Sequence, residues 1–234
     1  MPADPRTRDE LVGAMRQGAC PLCVIVERAE RKAVDHFLYD QVNDISRRDA
    51  LRASRGYCPT HTAMLAEGRS ALGVAIVSRD ILRAMTAELE SASGDSGRGW
   101  LKGRLGARAG TQLAAKIEPQ AACPMCRARP QIEEPLIIGL LRNLGDPAFD
   151  AAFTASGGLC REHLAATLRA ADPAATRLLA QAQAARWRSI EAELDEFIRK
   201  HDYRFNEEIM DIERDVWLRA LRLASGWYDP QATS

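Results

Sequence analysis

Apolar and polar positions along the chain alternate with the period of helices. In "VIVERAERKAVDHFLYDQV", Val26, Ala29, Ala33, Phe37 and Leu38 recur at spacings of three and four with charges between them, which predicts an amphipathic helix. Asp44 and Asp146 read as N-caps of short helices, the second reinforced by Pro147 at the first helical position. Gly56 and Gly158 suit the left-handed C′ turn that would stop those helices. "HTAMLAEGRSALGVAIVSRDILRAMTAELES" predicts one long helix, loosened at Gly68 and Gly73. Further on, "REHLAATLRAA", a restart at "DPAATRLLAQAQAARWRSIEAELDEFIRK" and a last helix near "NEEIMDIERDVWLRALRLASG" complete the set. No segment alternates as a strand does, so the expected fold class is all-α.

The same short pattern is used twice, and it takes up all six cysteines. "CPLC" (Cys20, Cys23) is followed after 34 residues by "CPTH" (Cys58, His61), and "CPMC" (Cys123, Cys126) after 33 residues by "CREH" (Cys160, His163). The lead-ins "NDISRRDALRASRGYC" and "GDPAFDAAFTASGGLC" align without gaps, matching Asp44 to Asp146, Ala50 to Ala152, Ser54 to Ser156 and Gly56 to Gly158. This is an internal duplication. It predicts a first unit over 1–90, a Gly/Ser/Arg-rich linker over 91–112, and a second unit with closing C-terminal helices over 113–234.

Three thiolates and one imidazole make a Cys₃His set, a standard tetrahedral zinc shell. A Cys and a His three apart at a helix start share one face, and the helix dipole there favours the thiolate. The expectation is therefore two zinc ions per chain. Cys20, Cys23, Cys58 and His61 would clamp the first helical hairpin, and Cys123, Cys126, Cys160 and His163 the second, unless the Cys pair of one unit completes the other's site. Four protein ligands with three thiolates close the shell, so such ions serve folding rather than hydrolysis. The alternative is a thiol-redox or iron–sulfur protein using the same cysteines. A thioredoxin-like dithiol would want a βαβ setting, and disulfides would ignore both histidines.

Composition narrows the partners. The 32 basic and 32 acidic side chains balance, which argues against nucleic acid or an anionic membrane surface. The polar N-terminus has no apolar signal region and no run of 18 apolar residues occurs, so a cytoplasmic chain with reduced thiols is expected. Arg98, Lys102, Arg104 and Arg108 read as a solvated linker. His36 reads as a surface or half-buried polar residue. His201, Asp202, Tyr203 and Arg204 crowd together, but fit a helix end packed on the core better than a polar pocket. Trp217 and Leu221 are expected to face the core, and the Glu133–Glu134 pair to lie on a solvated face. There is no phosphate loop, nucleophile elbow or HExxH, so a non-enzymatic adaptor or regulatory module with a protein partner is the reading.

Tandem CPxC…GxCxxH units closed by "FIRKHDYRF…W" resemble an uncharacterised bacterial family of about this length. The pattern is carried by the eight Cys and His residues above, by Phe197 to Phe205, and by Trp217. The resemblance implies a cytosolic, metal-binding protein and brings no activity or substrate.

Overall fold

The computed structural model describes residues 4–68, 70–94, 102–205 and 207–226, and among them every regular element is helical. In chain order the helices are α1 (Pro5–Met15), α2 (Pro21–His36), α3 (Ile45–Ala53), α4 (Pro59–Glu67), α5 (Ala71–Gly94), α6 (Lys102–Ile117), α7 (Pro124–Asn143), α8 (Pro147–Ala155), α9 (Arg161–Ala170), α10 (Pro173–Lys200) and α11 (Val216–Ser225). A π-helical segment, Phe37–Gln41, follows α2 directly.

The chain divides into two compact units that cut across the duplication. One combines Met1–Arg28 with Gln131–Ser234, and the other is Ala29–Pro130. Neither boundary coincides with the division at 90 and 113 that the repeat suggested. In the first unit α1 packs on α8, α8 on α10, α10 on α11 and α11 on α9. Its core gathers Leu11, Leu22, Leu140, Phe149, Phe153, Leu159 and Leu179, and Ile190, Val216 and Leu223 form a satellite cluster. In the second unit α5 packs on α3, on α6 and on the π segment, around Val34, Phe37, Leu38, Leu51, Leu65 and Val77.

Local chemistry explains most helix ends. Asp44, Asp146 and Asp172 are N-caps whose carboxylates accept the first free N–H groups of α3, α8 and α10. The helix expected across His61 to Ser91 is two helices. α4 stops at Gly68, whose backbone is extended, and α5 starts at Ala71. Gly73 is inside α5, where a Cβ would come within 2.7 Å of the Leu38 carbonyl oxygen, so the glycine permits close approach of the π segment. The left-handed residue ending α3 is Arg55 (φ 53°), one before Gly56. The Gly56 N–H donates to Leu51 O (2.8 Å) and the Arg55 N–H to Arg52 O (3.2 Å), the paired bonds of a Schellman end.

The second copy ends differently. Ser156 is extended and its Oγ accepts the Gly158 N–H (3.0 Å), so Gly158 is not a C′ residue. Instead the buried Gln183 of α10 holds both backbone groups of Leu159, accepting its N–H (2.8 Å) and donating to its carbonyl (3.1 Å). That clasp presents Cys160.

Three further expectations change. α6 occupies much of the supposed linker, and α5 runs to Gly94. Arg98 and the side chains of Lys102, Arg104 and Arg108 lie outside the described residues. The last helix is confined to Val216–Ser225. On it Trp217 and Leu221 are half exposed, while Val216 and Leu223 face the core.

Candidate metal centre

All four cysteine motifs start a helix. Cys20, Cys58, Cys123 and Cys160 each immediately precede the first helical residue, and in three cases that residue is proline, whose missing N–H costs nothing there. The second Cys or His of each motif then falls one turn on, beside the first. Each motif thus aims two donors past a helix N-terminus, where the dipole favours negative sulfur.

These termini meet in two clusters. Cys20, Cys23, Cys160 and His163 form one, wholly inside the first unit. His163 Nδ1 lies 3.5 Å from Cys20 Sγ, 3.2 Å from Cys23 Sγ and 3.3 Å from Cys160 Sγ, and Cys23 Sγ is 3.6 Å from Cys160 Sγ. Cys58, His61, Cys123 and Cys126 form the other, wholly inside the second unit. There His61 Nδ1 lies 3.1 Å from Cys58 Sγ and 3.6 Å from the sulfurs of both Cys123 and Cys126, and the Cys58 and Cys126 sulfurs are 3.7 Å apart. Each group could hold a metal ion.

All eight residues expected from the sequence are therefore gathered, but not in the expected sets. The first CPxC joins the second CxxH, and the second CPxC joins the first CxxH. Helix length gives the reason. From Cys23 to Gln41 the chain runs helically for 18 residues, roughly 27 Å, while the nine-residue α3 recovers only about 14 Å. The tight Arg55–Gly56 turn adds little reach, so Cys58 falls short of Cys23.

Each imidazole is held from behind. His163 Nε2 is 3.1 Å from Glu133 Oε1. His61 Nε2 is 3.3 Å from Glu30 Oε1, a long and poorly aimed contact between two wholly buried atoms, with Arg129 Nη1 3.9 Å from the same oxygen. A carboxylate on Nε2 keeps the proton there and leaves Nδ1, the nitrogen facing the sulfurs, free to ligate. Sequence reasoning placed Glu133 on a solvated face and passed over Glu30. Their signal was present all the same: each lies seven residues after the second cysteine of its CPxC motif, Glu30 after Cys23 and Glu133 after Cys126.

The electrostatics favour charge on the cysteine of the CxxH motif in each group, Cys160 in one and Cys58 in the other. Contacts with the Cys20 and Cys23 sulfurs, then with His163, hold the Cys160 thiol far below its usual range, while contacts with the Cys160 and Cys20 sulfurs, then burial, push Cys23 up. Burial raises Cys58, yet the His61 N–H and ring and the Cys126 sulfur bring it down to about 7. Burial, then Cys58, pushes Cys126 up to about 12. Glu30 is the main cause that raises His61 to about 9. Burial opposes protonation of His163, but Cys160, Cys20 and Glu133 raise it to about 11. Such shared protons are what a dication displaces when it binds all four donors.

The other candidates do not converge on a site. His201 caps α10, its Nδ1 2.8 Å from the Phe197 carbonyl oxygen and its ring against Phe197. Asp202 pairs with Arg204 at 2.7 Å, and Tyr203 stands in solvent. His36 is exposed and pairs with Asp40 at 2.9 Å.

The match to known proteins extends over nearly the whole chain. Residues 11–231 fit the family of unknown function DUF6062. The chain belongs to this family. A similar protein, "Uncharacterized 23.9 kDa protein in xynA 3'region" of Caldicellulosiruptor sp. (strain Rt8B.4), is 26% identical over 196 residues, covering 83% of this chain and 88% of that one. No solved structure matches. In this member of DUF6062, no helix among the described residues is long and apolar enough to cross a membrane.

Proposed function

We propose that this chain is a zinc protein with two structural Cys₃His centres, one in each compact unit, and that its task is recognition of a protein partner rather than catalysis. The observation that carries the metal reading is the spacing of the donors. Zn–S bonds of about 2.3 Å and Zn–N bonds of about 2.05 Å place tetrahedral neighbours roughly 3.8 Å apart for two sulfurs and 3.6 Å for sulfur and nitrogen. The sulfur pairs here stand at 3.6 and 3.7 Å and the sulfur–nitrogen pairs at 3.1 to 3.6 Å. An iron–sulfur cluster spreads its ligands over separate irons and would hold the thiolates farther apart. A disulfide needs about 2.05 Å.

With the shell closed by three thiolates, the ion has no open position for substrate, and its binding energy goes into folding. Cys20, Cys23, Cys160 and His163 would hold one ion, Cys58, His61, Cys123 and Cys126 the other. The half-exposed Trp217 and Leu221 of α11 support the adaptor part of the reading, since apolar side chains of that size in solvent suit a contact surface.

Elemental analysis of chain purified under reducing conditions tests the metal assignment, with two zinc and no visible absorbance expected. Two double variants test the pairing. Cys20→Ser with Cys160→Ser damages a single centre and leaves one zinc. Cys20→Ser with Cys58→Ser damages both and leaves none. Iron in the purified chain, or one zinc retained in the second variant, overturns the assignment.

A further inference from the structure

Because the motif is duplicated, each centre is a control for the other, and the two are buried unequally. In the first unit every ligand is enclosed: Cys20 is 5% exposed, Cys23 6%, Cys160 1% and His163 3%. The C-terminal end of α11 helps to enclose them, for the Gly226 carbonyl oxygen lies 3.8 Å from Cys23 Sγ, and a Cβ on Gly226 would come within 3.5 Å of Cys160 Sγ. In the second unit His61 and Cys123 are buried, but Cys58, the counterpart of Cys160, is half-buried, and Cys126, the counterpart of Cys23, is exposed. The two accessible sulfurs are neighbours, 3.7 Å apart, on different helix starts. A small oxidant in solvent thus reaches two adjacent thiolates in one centre and none in the other.

Resting on the zinc reading above, we propose that the second-unit centre is an oxidation site for hydrogen peroxide, at which Cys58 and Cys126 join as a disulfide and the ion is released, while the first-unit centre keeps its ion. The Cys126 sulfur attacks one peroxide oxygen, forming an S–O bond as the O–O bond breaks and hydroxide leaves. The Cys58 sulfur then displaces the oxygen from Cys126 as a second hydroxide and closes the S–S bond. Two electrons pass from the sulfurs to the peroxide, and two protons from solvent turn the hydroxides into water. Cys123 and His61 would then be the only donors left to hold a dication. The two sulfurs must close from 3.7 Å to a bond of about 2.05 Å.

The experiment exposes the full-length, zinc-loaded chain to hydrogen peroxide and follows released zinc with a colorimetric chelator, with peptide mass mapping at each stage. The expected result is one zinc leaving about ten-fold or more faster than the other, together with a Cys58–Cys126 disulfide and with Cys20, Cys23 and Cys160 still reduced. Iodoacetamide on the untreated, zinc-loaded protein should label Cys126 first, because its side chain is the exposed one. Two zinc ions leaving at one rate, or a first disulfide among Cys20, Cys23 and Cys160, overturns the proposal and leaves the structural zinc reading intact. A chain that holds no zinc before oxidant is added overturns both.

Discussion

Glu30 and Glu133 show how a single side chain sets the chemistry of a centre it does not itself enter. Each stands behind an imidazole, at 3.3 and 3.1 Å, and its charge favours a proton on the ring nitrogen it faces. Glutamine at either position keeps the shape and removes the charge that makes the histidine a strong donor. Such a change is expected to weaken zinc binding roughly 10- to 100-fold at the affected centre alone. Competition with a chelator of known affinity, read centre by centre in Glu30→Gln and Glu133→Gln, checks it. Unchanged release from both centres would show that the carboxylates are bystanders. The eight Cys and His residues of the two groups stood out in the sequence because their spacing repeats. These carboxylates repeat at the same offset, but a lone Glu on an amphipathic helix looks like any solvated residue until the structure puts an imidazole beside it.

At the scale of elements, the sequence reading succeeded where one local rule decides an end, and failed where tertiary packing does. α9 and α10 were visible, since Cys160 and Asp172 cap them and the apolar period is clean. α6 was not, because its run of glycine and arginine reads as linker, and the helix packs on α5 instead. The stretch before α11 reads as helix but is a series of turns held by polar ties. The strongest is Lys200 at the end of α10, which donates to the Ile209 carbonyl oxygen (2.9 Å) and to Glu213 Oε1 (2.7 Å), a carboxylate almost wholly buried. The Lys200 ammonium, with backbone N–H groups, holds Glu213 at about 2 against an ordinary 4.5. A carboxyl depressed in the folded state stabilises fully above its unfolded value, and that contribution is lost as pH falls through the folded one. The stability gap between the wild type and Glu213→Gln should therefore be flat around neutrality and close between pH 4.5 and about 2. Urea unfolding at several pH values measures it, and a gap that persists unchanged to the acid end would exclude the ion pair as the cause.

For the whole molecule, the duplication and the physical units are different partitions of one chain. Residues 1–112 contain four candidate ligands, Cys20, Cys23, Cys58 and His61, and so look like a complete site in sequence. In the structure two of them belong to each centre, because an extended α2 carries the chain too far from Cys23 for Cys58 to return. Residues 29–130 cut the duplication in the wrong places, yet hold Glu30, Cys58, His61, Cys123 and Cys126 together in one continuous compact unit. If these centres hold zinc as proposed, binding and folding are one free energy, with apparent values of about 10–16 kcal/mol, so only a fragment with a full shell gains it. Fragment 29–130 should bind one zinc, gain helical circular dichroism as it does, and lose both on chelation. Fragment 1–112 should remain largely unfolded with zinc present. If 1–112 bound one ion as tightly as 29–130, the donors would be pairing within a copy after all, and the exchange of ligands between copies would have to be given up.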